Sequence, residues 1–220
     1  MLRAVFFDID GTLVDSNDFH VMAWQEAFRD HGHHFDQGDI RPQIGKGGDQ
    51  LVPSLIPGID EKSQKAISQR HGEIFRPKYL AQVKPFPHAF DLLEMLHAKG
   101  TQVLLASSSE KSEVDHYVGL LRVEPFLTGT VSKDDVENSK PAGDIFAAAL
   151  AKVFPLSASE TMAVGDTPYD AESALRSNIR TIALRSGGFS SEVLAGAGAV
   201  QIYASVKELF DKFDTSPFQD

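Results

Sequence analysis

The chain has no cysteine, which excludes disulfides, thiolate catalysis and cysteine zinc sites. It has no apolar run approaching the ~18 residues that a membrane-spanning helix requires. At its start there is no basic segment followed by an apolar stretch of signal-peptide type, so the expected location is cytoplasmic. Positive charge is scarce: 21 Lys and Arg stand against 31 Asp and Glu, a net charge of −10. That balance argues against broad electrostatic binding to nucleic acid. An anionic ligand must then be attracted locally, by a metal or a few placed cations. Internal repeats and low-complexity segments are also missing. What remains is an ordinary globular composition, 42% hydrophobic and 24% charged over 220 residues. This is enough for one large domain, or for a core with a smaller insertion.

Residues 2–16 read LRAVFFDIDGTLVDS. Val5, Phe6 and Phe7 form a short apolar run, the pattern of a strand buried on both faces in a parallel sheet. The run stops at Asp8, followed by Ile9, Asp10, Gly11 and Thr12. Two carboxylates spaced i, i+2 at a strand end lie at the carboxyl edge, where open α/β sheets place their ligands. Their mutual repulsion is costly unless a cation or a reactant compensates it.

After Ser16 the pattern turns helical. Phe19, Trp24, Ala27 and Phe28 recur at helical spacing, and His31-Gly32 ends the run. Up to Pro85 there are amphipathic pieces (residues 39–44, 50–55 and 61–75) punctuated by Pro53, Pro57-Gly58 and Pro77, with no buried strand. An insertion of that length is a small domain. The expected organisation is therefore a core of residues 1–15 and 85–220 with a helical cap of residues 16–84. Beyond Pro85, helices and strands alternate. Helices are expected over 89–99, 110–121, 168–176 and 206–213, with another starting at Pro141. Strands are expected over 101–106, 126–131, 161–164, 181–184 and 199–202. This is the signature of a doubly wound, Rossmann-like parallel sheet. Residues 214–220 read as a loose tail.

Three more strand ends carry chemistry. Ser107-Ser108-Ser109 follows Val103-Leu104-Leu105-Ala106, where hydroxyls and free N–H groups suit phosphate oxygens, although an N-cap serine looks the same. Lys140 stands immediately before Pro141, fixed at a junction. Asp166 and Asp170, in Gly165-Asp166-Thr167-Pro168-Tyr169-Asp170, are hard oxygen ligands suited to Mg²⁺ or, equally, helix-start residues.

The string F-D-x-D-G-T-L-x-D-S, with these three motifs in this order, resembles the haloacid dehalogenase superfamily, in the helical-cap branch similar to phosphoglycolate phosphatases and β-phosphoglucomutases. The resemblance runs from Leu2 to about Phe213. It implies that Asp8 is the nucleophile that becomes an aspartyl-phosphate, and that Asp10 is the general acid and base. Ser107 and the Ser108 N–H would hold phosphate, and Lys140, in K-P-x-x-x-x-F, would neutralise it. Mg²⁺ would be held by Asp8, the Asp10 carbonyl, Asp166 and Asp170. A carboxylate at position 10 favours phosphate chemistry over dehalogenation. Thr12 is as well suited to capping the next helix as to catalysis.

In the cap, His20 either faces the catalytic pocket or is an interface histidine. The loop Ile44-Gly45-Lys46-Gly47-Gly48-Asp49 either holds an anionic group through Lys46 or is a plain turn. His31, His33 and His34 read as a polar inter-helix loop rather than a metal cluster. The expected function is an Mg²⁺-dependent phosphatase for a small phosphorylated metabolite, with no nucleic-acid or membrane partner, acting as a monomer or homodimer. The alternatives are a sugar phosphomutase and, remotely, a phospho-accepting signalling domain. In β-phosphoglucomutases a cap arginine holds the second phosphate. The matching position here is Gly48, with Lys46 the only cation nearby.

Overall fold

The structure is a computed structural model that describes residues 1–219. Its centre is a six-stranded sheet, all neighbours parallel, in the order β5-β4-β1-β6-β7-β8. The strands are β1 (Ala4–Phe7), β4 (Gln102–Ala106), β5 (Leu127–Val131), β6 (Thr161–Gly165), β7 (Arg180–Leu184) and β8 (Ala199–Tyr203). The all-apolar run of β1 is explained by its central place. Val5 and Phe7 join one core, whereas Ala4 and Phe6 join another on the opposite face with Ile145 and Phe146. Alternate side chains leave a strand on opposite faces, so a central strand must be apolar at every position.

Phe7 is level with Leu105 of β4 and Val164 of β6. This register brings the chain segments following all three strands to one edge of the sheet. Helices α5 (Ala89–Ala98), α6 (Lys111–Leu121), α7 (Asp144–Lys152), α8 (Pro168–Arg176), α9 (Ser191–Gly196) and α10 (Val206–Asp211) complete the layers. The expected α/β doubly wound class is what is observed.

A second sheet has only two short antiparallel strands, β2 (Val14–Asp15) and β3 (Lys84–Pro85), pairing Val14 with Pro85 and Asp15 with Lys84. Neither strand was legible, because two-residue strands have no period. Between them lie α1 (Asn17–Asp30), α2 (Gln37–Ile40), α3 (Gly48–Leu55) and α4 (Glu61–Lys78), with no strand. Among the described residues, no helix is long and apolar enough to cross a membrane.

Two expectations need correction. Helix α7 starts at Asp144 rather than Pro141. The Asp144 carboxylate accepts from the backbone and side-chain amides of Asn138 (both 3.1 Å), closing residues 138–144 into a loop before the helix. The tail is not loose over 214–219. Phe218 is buried, its ring 5.7 Å from that of Phe213, and two 3-10 turns carry the chain there. Asp220 lies outside the described residues.

Candidate active site

The chain leaves β1 through a tight turn in which the amides of Leu13 and Val14 both donate to the Ile9 carbonyl (2.8 and 3.1 Å). Gly11 takes φ +76° here, and a Cβ on it would lie 2.1 Å from Asp166 Oδ2. Only glycine combines that backbone with that approach. The turn leaves Asp8 buried beside Lys140, Asp166 and Asp170.

Lys140 is wholly buried, and its ammonium donates to Asp8 Oδ1 (2.5 Å) and to the Ala106 carbonyl (2.7 Å), with Asp170 Oδ1 at 2.7 Å. Burial works against its charge, but Asp170 and Asp8 outweigh it and hold the lysine firmly protonated. Burial pushes the Asp8 carboxyl up to about 7, against the pull of Lys140. Burial, together with the charges of Asp8 and Asp170, raises Asp166 well above the usual carboxylate range. Asp166 accepts from Thr12 Oγ1 and Asn17 Nδ2, both at 2.9 Å. Thr12 therefore serves Asp166, and the residue preceding α1 is Ser16. Asp170 Oδ2 accepts from the Thr167 amide (3.1 Å) and hydroxyl (2.7 Å), so its place in the capping box of α8 and its place in the site coexist.

Three carboxylates thus face one ammonium. Ligand oxygens of Asp8, Asp166 and Asp170 all lie within 4.8 Å of one another, and all three residues are buried. Raised carboxyl pKa values in such a cluster mark a shortage of positive charge. All-oxygen donors at this spacing fit a hard divalent cation.

Asp10 is in a different environment. Its Oδ1 accepts from Ser16 Oγ (2.6 Å) and His20 Nε2 (3.0 Å), and its Oδ2 from Ser109 Oγ (2.8 Å). Burial opposes ionisation, but the His20 charge and these three hydrogen bonds hold the Asp10 carboxyl far below the usual range. His20 in turn is raised by Asp10, against its own burial. The two carboxylates of the D-x-D motif are therefore electrostatically distinct.

Ser107 is buried at the end of β4, its amide donating to the Val131 carbonyl (3.0 Å) and its hydroxyl accepting from the Ser109 amide (3.0 Å). Ser108 Oγ accepts from the Lys140 amide (3.3 Å). Sequence reasoning missed Asn17 and the hydroxyls of Ser16 and Ser109. Ser16 ends the quoted motif and Ser109 the serine run, so both strings contained the signal, whereas Asn17 carried none.

A cavity of about 360 Å³ lies between this edge and the helical insertion, lined by Asp8, Asp10, His20, Trp24, Ser107 and Glu113, among others. Lys46 also borders it, but its ammonium already donates to Gln43 Oε1 (2.7 Å) and Ser54 Oγ (2.9 Å) and sits 4.6 Å from the centre of the Tyr169 ring. Glu110 on the cavity wall is paired with Arg76 (2.6 Å), and burial raises Glu113 to about 7.

The comparisons with known proteins give the class to which the chain belongs. The profile of the haloacid dehalogenase-like hydrolases matches residues 5–184, so the chain belongs to that family. It is 31% identical over 212 residues to the chloroplastic protein SUPPRESSOR OF QUENCHING 1 of Arabidopsis thaliana, covering 91% of this chain but only 19% of that protein. It is 26% identical over 187 residues to pyrophosphatase PpaX of Oceanobacillus iheyensis, covering 83% of each. A hydrolase from Pseudomonas syringae superposes with a TM-score of 0.91 at 28% identity, covering 98% of this chain and 99% of that one. The expected enzyme class, a phosphoric monoester hydrolase of this family, stands.

Proposed function

We propose that the protein is a Mg²⁺-dependent phosphatase that cleaves a small phosphate monoester through an aspartyl-phosphate on Asp8, with residues 16–84 as the cap that closes the site. The observation that carries this reading is the division of labour within the D-x-D pair. Asp8 is buried against Lys140, whereas Asp10 is hydrogen-bonded to Ser16, His20 and Ser109. A divalent cation beside Asp8 and Lys140 would hold Asp8 ionised, as a nucleophile requires, while the His20 imidazolium bonded to the Asp10 carboxylate is a ready source of the proton that a leaving group needs.

An Asp8 oxygen attacks phosphorus and the bond to the ester oxygen breaks. His20 passes a proton to Asp10 across their 3.0 Å hydrogen bond, and the leaving oxygen takes it from Asp10. Water then attacks the acyl phosphate, Asp10 takes its proton, and Asp8 is regenerated. Ser107 and Lys140 hold the phosphoryl oxygens. Bound by Asp8, Asp166, Asp170 and the Asp10 carbonyl, Mg²⁺ would neutralise charge on the transferred group. The names of two relatives, the pyrophosphatase PpaX and a phosphoglycolate phosphatase of Caulobacter vibrioides that is 24% identical over 204 residues, support phosphate-ester chemistry.

Hydrolysis is favoured over isomerisation. A mutase must hold a second phosphate, yet a Cβ at Gly48 would already meet Ser68 Oγ at 2.3 Å and the Trp24 ring at 3.0 Å. Gly48 brings no cation there, and the Lys46 ammonium already donates to Gln43 and Ser54. A panel of phosphate esters with Mg²⁺ tests the reading by phosphate release. With β-glucose 1-phosphate and a bisphosphate primer, at most hydrolysis to glucose and free phosphate is expected, with no glucose 6-phosphate, and catalytic build-up of glucose 6-phosphate would reverse the assignment.

A further inference from the structure

Helices α1 and α4 each place a histidine and an aromatic residue one turn apart: His20 with Trp24, and His71 with Phe75. The helices pack so that the pairs interlock. The His20 ring stacks on Phe75 (centroids 3.9 Å, planes 11° apart), and the His71 ring stacks on Trp24 (4.1 Å, 14°). Between them, His20 Nδ1 and His71 Nε2 lie 3.3 Å apart, while His20 Nε2 reaches Asp10 Oδ1 at 3.0 Å. One hydrogen-bonded line therefore runs from Asp10 through His20 to His71 on the cavity wall.

We propose that His71 is a positioning residue for Asp10, acting through His20. This rests on the phosphatase reading above. An imidazolium bonded at one nitrogen can still swing about that contact, and a bond at its other nitrogen fixes the ring orientation. Burial and the neighbouring His20 keep His71 uncharged, so its Nε2 can accept from His20 Nδ1–H. His20 Nε2–H is then aimed at Asp10. Trp24 and Phe75 fix the ring planes within which both bonds must lie. Without the acceptor, the buried Nδ1–H of His20 has no partner here, and the ring gains by turning away from Asp10. The leaving group would then meet a misaligned acid, even though neither histidine forms or breaks a bond to phosphorus.

Two variants separate hydrogen bonding from packing. His71→Phe keeps a ring against Trp24 but removes the acceptor. His71→Gln loses the ring but keeps an acceptor oxygen near the Nε2 position. The assay is kcat/KM with p-nitrophenyl phosphate, whose leaving group needs no proton, and with phenyl phosphate, a similar shape whose leaving group does. Circular dichroism checks that both variants fold. His71→Phe should lose about tenfold more on phenyl phosphate than on p-nitrophenyl phosphate, a fraction of what general acid catalysis supplies. His71→Gln should bring that ratio back to within about threefold of wild type. Equal losses on the two esters, or a glutamine variant no better than phenylalanine, would overturn the positioning role and leave the phosphatase reading standing. A wild-type protein inert toward both esters and toward the wider panel would overturn both.

Discussion

Replacing Asp8 by Asn should end turnover and, at the same time, make the metal-free protein more stable. Asp8 is 6% exposed, and its carboxyl shifts from an ordinary 3.8 to about 7. At 1.36 kcal/mol per unit, holding it ionised in the fold costs about 4 kcal/mol. Between pH 4 and 7 the unfolded chain binds fewer protons at this group than the folded one. Stability is therefore full below pH 4 and is lost as pH rises through 7. Asparagine keeps the volume without the charge, and Lys140 retains Asp170 at 2.7 Å. In EDTA at pH 8, Asp8→Asn should exceed wild type by roughly 2–4 kcal/mol, or about 5–15 °C in Tm for a chain of this size. At pH 5 the gap should shrink below about 2 kcal/mol, because wild-type Asp8 is then mostly protonated. Thermal unfolding by circular dichroism at the two pH values, with and without Mg²⁺, measures this directly. A variant that melts at or below wild type at pH 8 in EDTA, or a gap that ignores pH, would refute the charge-shortage argument. Retention of a tenth of wild-type kcat in Mg²⁺, contamination aside, would refute the nucleophile assignment.

Chelation should stop hydrolysis and added Mg²⁺ restore it, whereas Asp166→Ala should raise the Mg²⁺ concentration needed or prevent rescue. Full activity in metal-free buffer counts against the site. Lys140→Met should destabilise the fold by about 3–5 kcal/mol at pH 8, because it strands the Asp8 and Asp170 carboxylates. The loss should be smaller at pH 5, where Asp8 picks up a proton. Urea titration at both pH values reads the difference.

The strand ends that meet at the candidate site were legible because each is a short string placed by a buried strand, and parallel register does the rest. Asp8, Ser107 and Asp166 are far apart in sequence, but each follows a strand whose neighbours in the sheet are fixed. Asn17 and His71 were not legible. Asn17 matters because the start of α1 meets the segment after β6, and His71 because α4 crosses α1 at a particular height, neither of which a local pattern encodes. The start of α7 was misplaced because Pro141 is a good first helical residue, yet Asn138 competes for the chain through Asp144. The tail was misjudged because Phe218 stands alone among polar neighbours, and its burial depends on Phe213.

The β2–β3 ribbon has a bearing on engineering. Asp15 and Lys84 are paired neighbours, so the helical segment between them leaves and re-enters the sheet-bearing part at one point. A graft with closely spaced ends could replace it with little change in the closure entropy of the chain. Such a graft would still have to meet three fixed demands from the sheet side. The Thr167 side chain tolerates only a glycine at position 45, where a Cβ would come within 2.6 Å at φ +101°. The Ser139 amide needs a carboxylate such as Asp49 (3.0 Å), and the Tyr169 hydroxyl needs a carbonyl such as that of Pro42 (2.5 Å). Since Thr167 and Tyr169 flank the same loop as Asp166 and Asp170, a transplanted lid that ignores them would disturb the carboxylates as well as the fit.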